Sequence, residues 1–259
     1  MKRIAFAVAA GMCFAAWVAA QDAPPAPEGA PPQAQGPGGA AAAQEPQPYD
    51  RVITKDAKSK KGIFTVHQIK ERYYYEIPKP ELDKDFLWST RIARTAIGVG
   101  YGGQPLSKRV VRWELSGNKV NLRNVEYSLV ADPKTPIAAA VKAANNNAII
   151  MSFPVAAFNK DGEPVIEVTR LFSTDVQEFS ACHRLGATAV DATRSSIERV
   201  TAFPENIEAE ASMTYTRAST PADEDWPAPA PAGSGYGQMQ PGSATVVLHH
   251  SMVKLPEKP

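Results

Sequence analysis

The chain has 259 residues, 44% of them apolar, with 28 basic against 27 acidic side chains and a formal net charge of +1. That length permits one or two domains with a real core. The balanced charge removes the electrostatic case for nucleic acid or an anionic membrane surface as a partner.

Lys2 and Arg3 precede an apolar run from Ile4 to Val18, and Val18-Ala19-Ala20 offers the small residues of a cleavage site. Residues 1–20 thus have the form of a secretory signal peptide, the run being shorter than the roughly 20 residues a membrane span requires. The expectation is export to the periplasm or the extracellular space, with no membrane association after cleavage. Cleavage would remove Cys13 and leave Cys182, so packing rather than an internal disulfide must hold the fold. Cys182 reads as a small buried hydrophobe, because the sequence neighbour His183 does not make it a nucleophile.

Residues 21–48 are Pro, Ala, Gly and Gln with hardly any large apolar side chain and read as a disordered linker, with order starting near Tyr49. The run Lys55 to Lys61 reads as a solvated lead-in. Ile63 to Ile69 and Tyr73 to Ile77 flank Lys70-Glu71-Arg72 as a hairpin. Within Tyr73-Tyr74-Tyr75, strand alternation opposes Tyr74 to its neighbours, which favours core packing and cross-strand pairing over a stacking platform. Phe86, Trp88 and Ile92 mark a third strand.

Gly98 to Gly103 spells G-x-G-x-x-G, but Gln104-Pro105-Leu106 and a strand follow it, where a dinucleotide site needs a helix N-terminus. It reads as a linker or tight turn between two modules. Val111, Trp113 and Leu115, then Ser116-Gly117-Asn118, then Val120 and Leu122 form a second hairpin. Thr135 as cap and Pro136 at the first position open a helix carrying Ile137, Ala140, Val141 and Ala144. Ala148 to Phe158 and Val165 to Leu171 pair around Asn159 to Glu163, whose acidic loop is far short of a calcium site. Ser173 to Ala187 is either a short helix or an irregular loop.

The clearest periodicity comes next. Ile207, Ala209, Ala211, Met213 and Tyr215 alternate with Glu208, Glu210, Ser212, Thr214 and Thr216. Glu and Ala favour helix, yet a helix would scatter the five apolar residues around its circumference, so the stretch reads as the central strand, its polar set facing water. Phe203-Pro204-Glu205-Asn206 is the turn before it. Residues 218–243 read as a mobile insertion, and Val246, Leu248 and Met252 as a last strand. The fold class expected is α+β, predominantly antiparallel β: a short N-terminal β-hairpin module, 49–97, and a larger β-rich domain, 98–259, with one or two short helices.

Gly62-Ile63-Phe64-Thr65-Val66-His67 through Tyr73-Tyr74-Tyr75-Glu76-Ile77-Pro78 resembles the first of two domains of unknown function, DUF5118 and DUF5117, at the front of bacterial zinc-dependent metalloproteases. Gly100 to Gln104, Arg112-Trp113, Asp191-x-x-Arg194-Ser195-x-Ile197 and Phe203 to Glu208 resemble the second. The resemblance covers nearly everything from about Tyr49 to the end, with Ala218 to Ser243 less family-like. It implies a secreted metallopeptidase whose H-E-x-x-H zinc helix lies downstream, so zinc is expected in that catalytic domain and no cofactor in this chain. The histidines here are His67, His183, His249 and His250, and none form that motif. His249 and His250, adjacent on a strand, face opposite sides and cannot share one ion. No catalytic, cofactor or metal residue is assigned. The family runs on past Leu255-Pro256, so a fragment is expected. The implied role is a non-catalytic scaffold or accessory region whose partner is the downstream peptidase domain of the same polypeptide, with a peptide or protein substrate as a further partner. The competing role is a stand-alone exported β-rich binding module for peptide or glycan.

Overall fold

A computed structural model describes residues 45–129, 131–132, 134–216 and 242–256. The expected signal peptide 1–20 and all of the insertion except Gly242 and Ser243 lie outside the described residues.

The chain enters through Gln47, whose N–H donates to Ala156 O at 2.8 Å, and a single turn, α1 (Tyr49–Val52). The end of the expected linker is thus ordered. Next come β1 (Lys58–Lys61), β2 (Thr65–Ile69), β3 (Arg72–Glu76), β4 (Asp85–Thr95), β5 (Gln104–Ser116) and β6 (Lys119–Val125). Then α2 (Ile137–Ala144), β7 (Ile149–Phe158), β8 (Pro164–Glu167), α3 (Thr169–Ser173) and α4 (Cys182–Leu185) follow. Finally come β9 (Ala189–Val190), β10 (Ser196–Ala202), β11 (Asn206–Thr216) and β12 (Ser243–Lys254). The described residues form one twelve-stranded sheet in the order β1-β2-β3-β8-β7-β6-β5-β4-β12-β11-β10, with β9 beside β11 and every strand pair antiparallel.

The two ends of that order meet, so the sheet is a nearly closed barrel. Ile63 N donates to Phe203 O at 2.7 Å across the seam. Gly62 is required there by space: a Cβ would stand 2.4 Å from Phe203 O and 2.7 Å from Phe203 N. Strands from 49–97 and from 98–259 share this sheet and one core, β4 lying between β5 and β12 and β3 against β8.

The alternation along β11 is realised in full: Ile207, Ala209, Ala211, Met213 and Tyr215 are all buried on the inner face. β11 lies one strand from the end of the sheet rather than at its middle, flanked by β10, β12 and β9. Thr214 departs from the pattern. It is buried although it points outward, because the turn after β9 covers it; its Oγ1 donates to Arg194 O at 2.8 Å and meets Thr245 Oγ1 at 2.9 Å.

Aromatic rings fill the barrel. Phe64 packs edge-on against Tyr75, Phe86 and Trp113, and Trp88 stacks on Phe179 at 4.8 Å between centroids. Such ring pairs add about 0.5–1.5 kcal/mol beyond their burial. The segment left open by the sequence, 173–187, is a 3-10 turn (Gln177–Phe179) and α4, and with α3 it inserts Leu171, Phe172, Val176, Phe179 and Leu185 into this core.

Local readings are corrected at four places. The lysine run 55–61 is solvated as expected, but Lys58–Lys61 is the exposed edge strand β1 rather than a lead-in, and its charged side chains keep other strands from adding. Gly98 to Gly103 turns the β4–β5 hairpin instead of joining modules; Gly98, Gly100 and Gly103 have positive φ. Thr135 does not cap α2: its hydroxyl donates to Asp132 O at 2.7 Å and Pro136 holds the cap position. Leu171 is helical, β8 having ended at Glu167.

Candidate functional site

The densest polar constellation lies on the outer face of β1, β2 and β3. Val66, Tyr73 and Tyr75 point into the core, so His67, Tyr74 and Glu76 point outward. Tyr74, Ala157 and Val165 form a small outer cluster covered by Tyr49, Val52 and Ile53, and this brings α1 down over Glu76. Tyr49 Oη donates to Glu76 Oε2 at 2.7 Å, and Asn159 Nδ2 donates to Glu76 Oε1 at 3.0 Å. His67 Nε2 lies 3.2 Å from Glu76 Oε2, and His67 Nδ1 lies 2.7 Å from Ser59 Oγ. Ser59 and His67 are direct cross-strand partners. His67 is buried, while Ser59 is exposed on the edge strand.

Burial would raise the Glu76 carboxyl, but hydrogen bonds from Tyr49, Asn159 and His67 outweigh it and hold the group below its ordinary value. The Tyr49 phenol is pushed up, first by burial and then by the same carboxylate. Glu76 is therefore ionised and accepts only. His67 Nε2 faces this acceptor and is placed to donate to it, which in the neutral ring leaves Nδ1 to accept from the Ser59 hydroxyl. An exposed hydroxyl, a shielded imidazole and an anchored carboxylate stand in one row across three strands.

A second polar group lies on the outer face of β11 and β12. His249 sits between two carboxylates, Nε2 at 2.7 Å from Glu208 Oε2 and Nδ1 at 3.3 Å from Glu210 Oε1. Arg199 reaches Glu210 Oε1 at 3.0 Å, and Arg94 pairs with Glu198 and Glu210. Glu208 and Glu210 are half-buried members of this charge ladder, not simply a wet face. His250 points inward. Its Nδ1 receives Trp88 Nε1–H at 3.4 Å and stands 3.0 Å from Thr90 Oγ1, with Phe172 and Phe179 against its ring.

Asp191 to Ser195 is a self-bonded turn. Asp191 Oδ1 accepts from Thr193 N and Oγ1, Oδ2 accepts from Arg194 Nε at 2.7 Å, and Ser195 Oγ takes Thr214 N–H at 3.0 Å while donating to Asp191 O. Those bonds, led by the Thr193 hydroxyl and Arg194, lower the Asp191 pKa to about 2. The residues that carried the family resemblance here fasten β9 and β10 around β11. Cys182 is half-buried against the core, its thiol donating to Asp175 Oδ2 at 3.3 Å, and burial first raises its pKa. His183 follows it on α4. Among the described residues no three His, Cys, Asp or Glu side chains are arranged to hold a metal ion. No described helix is long and apolar enough to cross a membrane.

Sequence reasoning did not find the Ser59–His67–Glu76 row, because it read Ser59 as part of a solvated stretch. The available signal was spacing: Ser59, His67 and Glu76 occupy three successive short β-rich runs joined by tight turns.

Comparison with known families gives two matches. Residues 103–259 match the domain of unknown function DUF5117, and residues 46–95 match the domain of unknown function DUF5118. No curated protein and no solved structure matches the chain.

Proposed function

Because the chain belongs to the DUF5117 family and carries a DUF5118 segment ahead of that domain, we propose that it is the accessory front region of an exported zinc metallopeptidase. It serves as a rigid barrel against which a downstream zinc domain of the same polypeptide packs. The pair of domain matches, in the order that the resemblance implies, carries this reading. The filled barrel supports it: Trp88, Trp113, Tyr75, Phe64 and Phe86 occupy the interior, so partners are met by the outer surface. A packed, doubly hydrogen-bonded wall suits a part that orients another domain, since few of its bonds open without the rest.

The test is peptide mapping and intact-mass measurement of the mature protein from its native host. The expected result is a polypeptide beginning near Gln21 that contains Tyr49 to Pro256 and, further on, an H-E-x-x-H segment with bound zinc. A mature mass equal to residues 21–259 alone would overturn the reading in favour of a stand-alone binding module.

A further inference from the structure

We propose that Ser59 is an activated nucleophile and that the Ser59–His67–Glu76 row hydrolyses small activated carboxylic esters. The proposal does not depend on the peptidase reading; it needs no zinc.

The geometry is that of a nucleophile, a base and an orienting group. Glu76 receives hydrogen bonds from Tyr49, Asn159 and His67, so its carboxylate is held in one orientation. That orientation fixes the His67 ring and its tautomer and leaves the Nδ1 lone pair for the Ser59 proton at 2.7 Å. Burial differs in the useful direction, with the base shielded and the hydroxyl open to solvent. Lys61, two residues along β1, shares the face of Ser59, and Lys58 and Lys60 flank it. The Lys61 charge on that face favours esters bearing negative charge, while Lys58 and Lys60 point to the opposite face.

In the first step Ser59 Oγ bonds to the carbonyl carbon while His67 Nδ1 takes the Oγ proton. The carbon–oxygen bond to the alcohol breaks, and the leaving oxygen takes that proton. Water then attacks the acyl-serine, its proton passing through His67 Nδ1 back to Ser59 Oγ, and a carboxylic acid departs. No oxidant, reductant or metal is required.

The experiment treats the full chain with a fluorophosphonate probe and, separately, with p-nitrophenyl acetate. Intact mass should show one phosphonate per chain, with peptide mapping placing it on Ser59; the serine oxygen–phosphorus bond forms as phosphorus–fluorine breaks. A stoichiometric burst of p-nitrophenolate should accompany acylation and persist in EDTA. Ser59→Ala should remove both signals. His67→Gln should slow labelling by about 100-fold or more, the range lost with a general base. An unlabelled chain, an adduct on another residue, labelling that survives heat denaturation, or equal labelling of Ser59 in a folded His67→Gln would each overturn the proposal. If His67→Gln fails to fold, Ser59→Ala decides alone, because its site is exposed: an undiminished burst from that variant overturns the assignment.

Discussion

His250 carries the sharpest consequence of a single residue's surroundings. Burial, and then the charge of His249, lowers its pKa to about 3, against roughly 6.5 for an exposed imidazole. Between those values the unfolded chain binds a proton that the folded chain refuses, so stability falls as pH drops through that window. His250→Gln should therefore flatten the dependence of Tm on pH between about 6.5 and 4, as read by circular dichroism melts. An unchanged slope would mean that other groups dominate. Tyr75 gives a second case. Its Oη is buried with no hydrogen-bond partner among the described residues, and burial drives its pKa upward. Tyr75→Phe keeps the ring contacts with Phe64 and Trp113 and should be neutral or stabilising by about 1 kcal/mol in chemical denaturation. The opposite faces of His249 and His250 were legible from strand alternation. The surroundings that perturb His250 were not, because Phe172 and Phe179 reach it from a segment without a clear period.

At the level of the element, β11 shows both the reach and the limit of periodicity. Met213→Asp places a charge among buried side chains and should cost several kcal/mol. Alternation alone would make Thr214→Asp harmless. The Asp191–Ser195 turn lies over it and uses its hydroxyl, so Thr214→Asp should also destabilise, by about 1–3 kcal/mol. Ser196→Asp, at the exposed start of β10, should stay within about 0.5 kcal/mol. Equal melting temperatures for the three would refute this account of the strand. Inner faces could be read from the sequence because burial repeats with the strand's own period. Outer coverage could not, since it depends on which distant turn folds back.

On the scale of the whole molecule the barrel is held by its seam and by pairings that ignore sequence order. Gly62→Ala would drive a Cβ into the Phe203 backbone at the point where β1 and β2 approach β10. It should lower Tm and loosen the seam, seen as faster amide exchange at Ile63, whose N–H donates to Phe203 O. Residues 45–97 and 98–259 each lack strands that their neighbours need, so neither piece should give a cooperative melt alone. Most strands were legible one by one, and so was the β-rich class, but β1, β9 and β10 carried no alternation that marked them as strands. Barrel closure was not, because no local pattern records that β4 pairs with β12 or β3 with β8. That pairing also sets a clock. β4 ends at Thr95 and its partner begins at Ser243, so a chain made at roughly 5–20 residues per second waits on the order of ten seconds between them. Throughout that interval Phe86, Trp88 and Ile92 lack the strand that shields them. A nascent chain of this topology is exposed to aggregation until β12 emerges, and its natural production should depend on a holding chaperone.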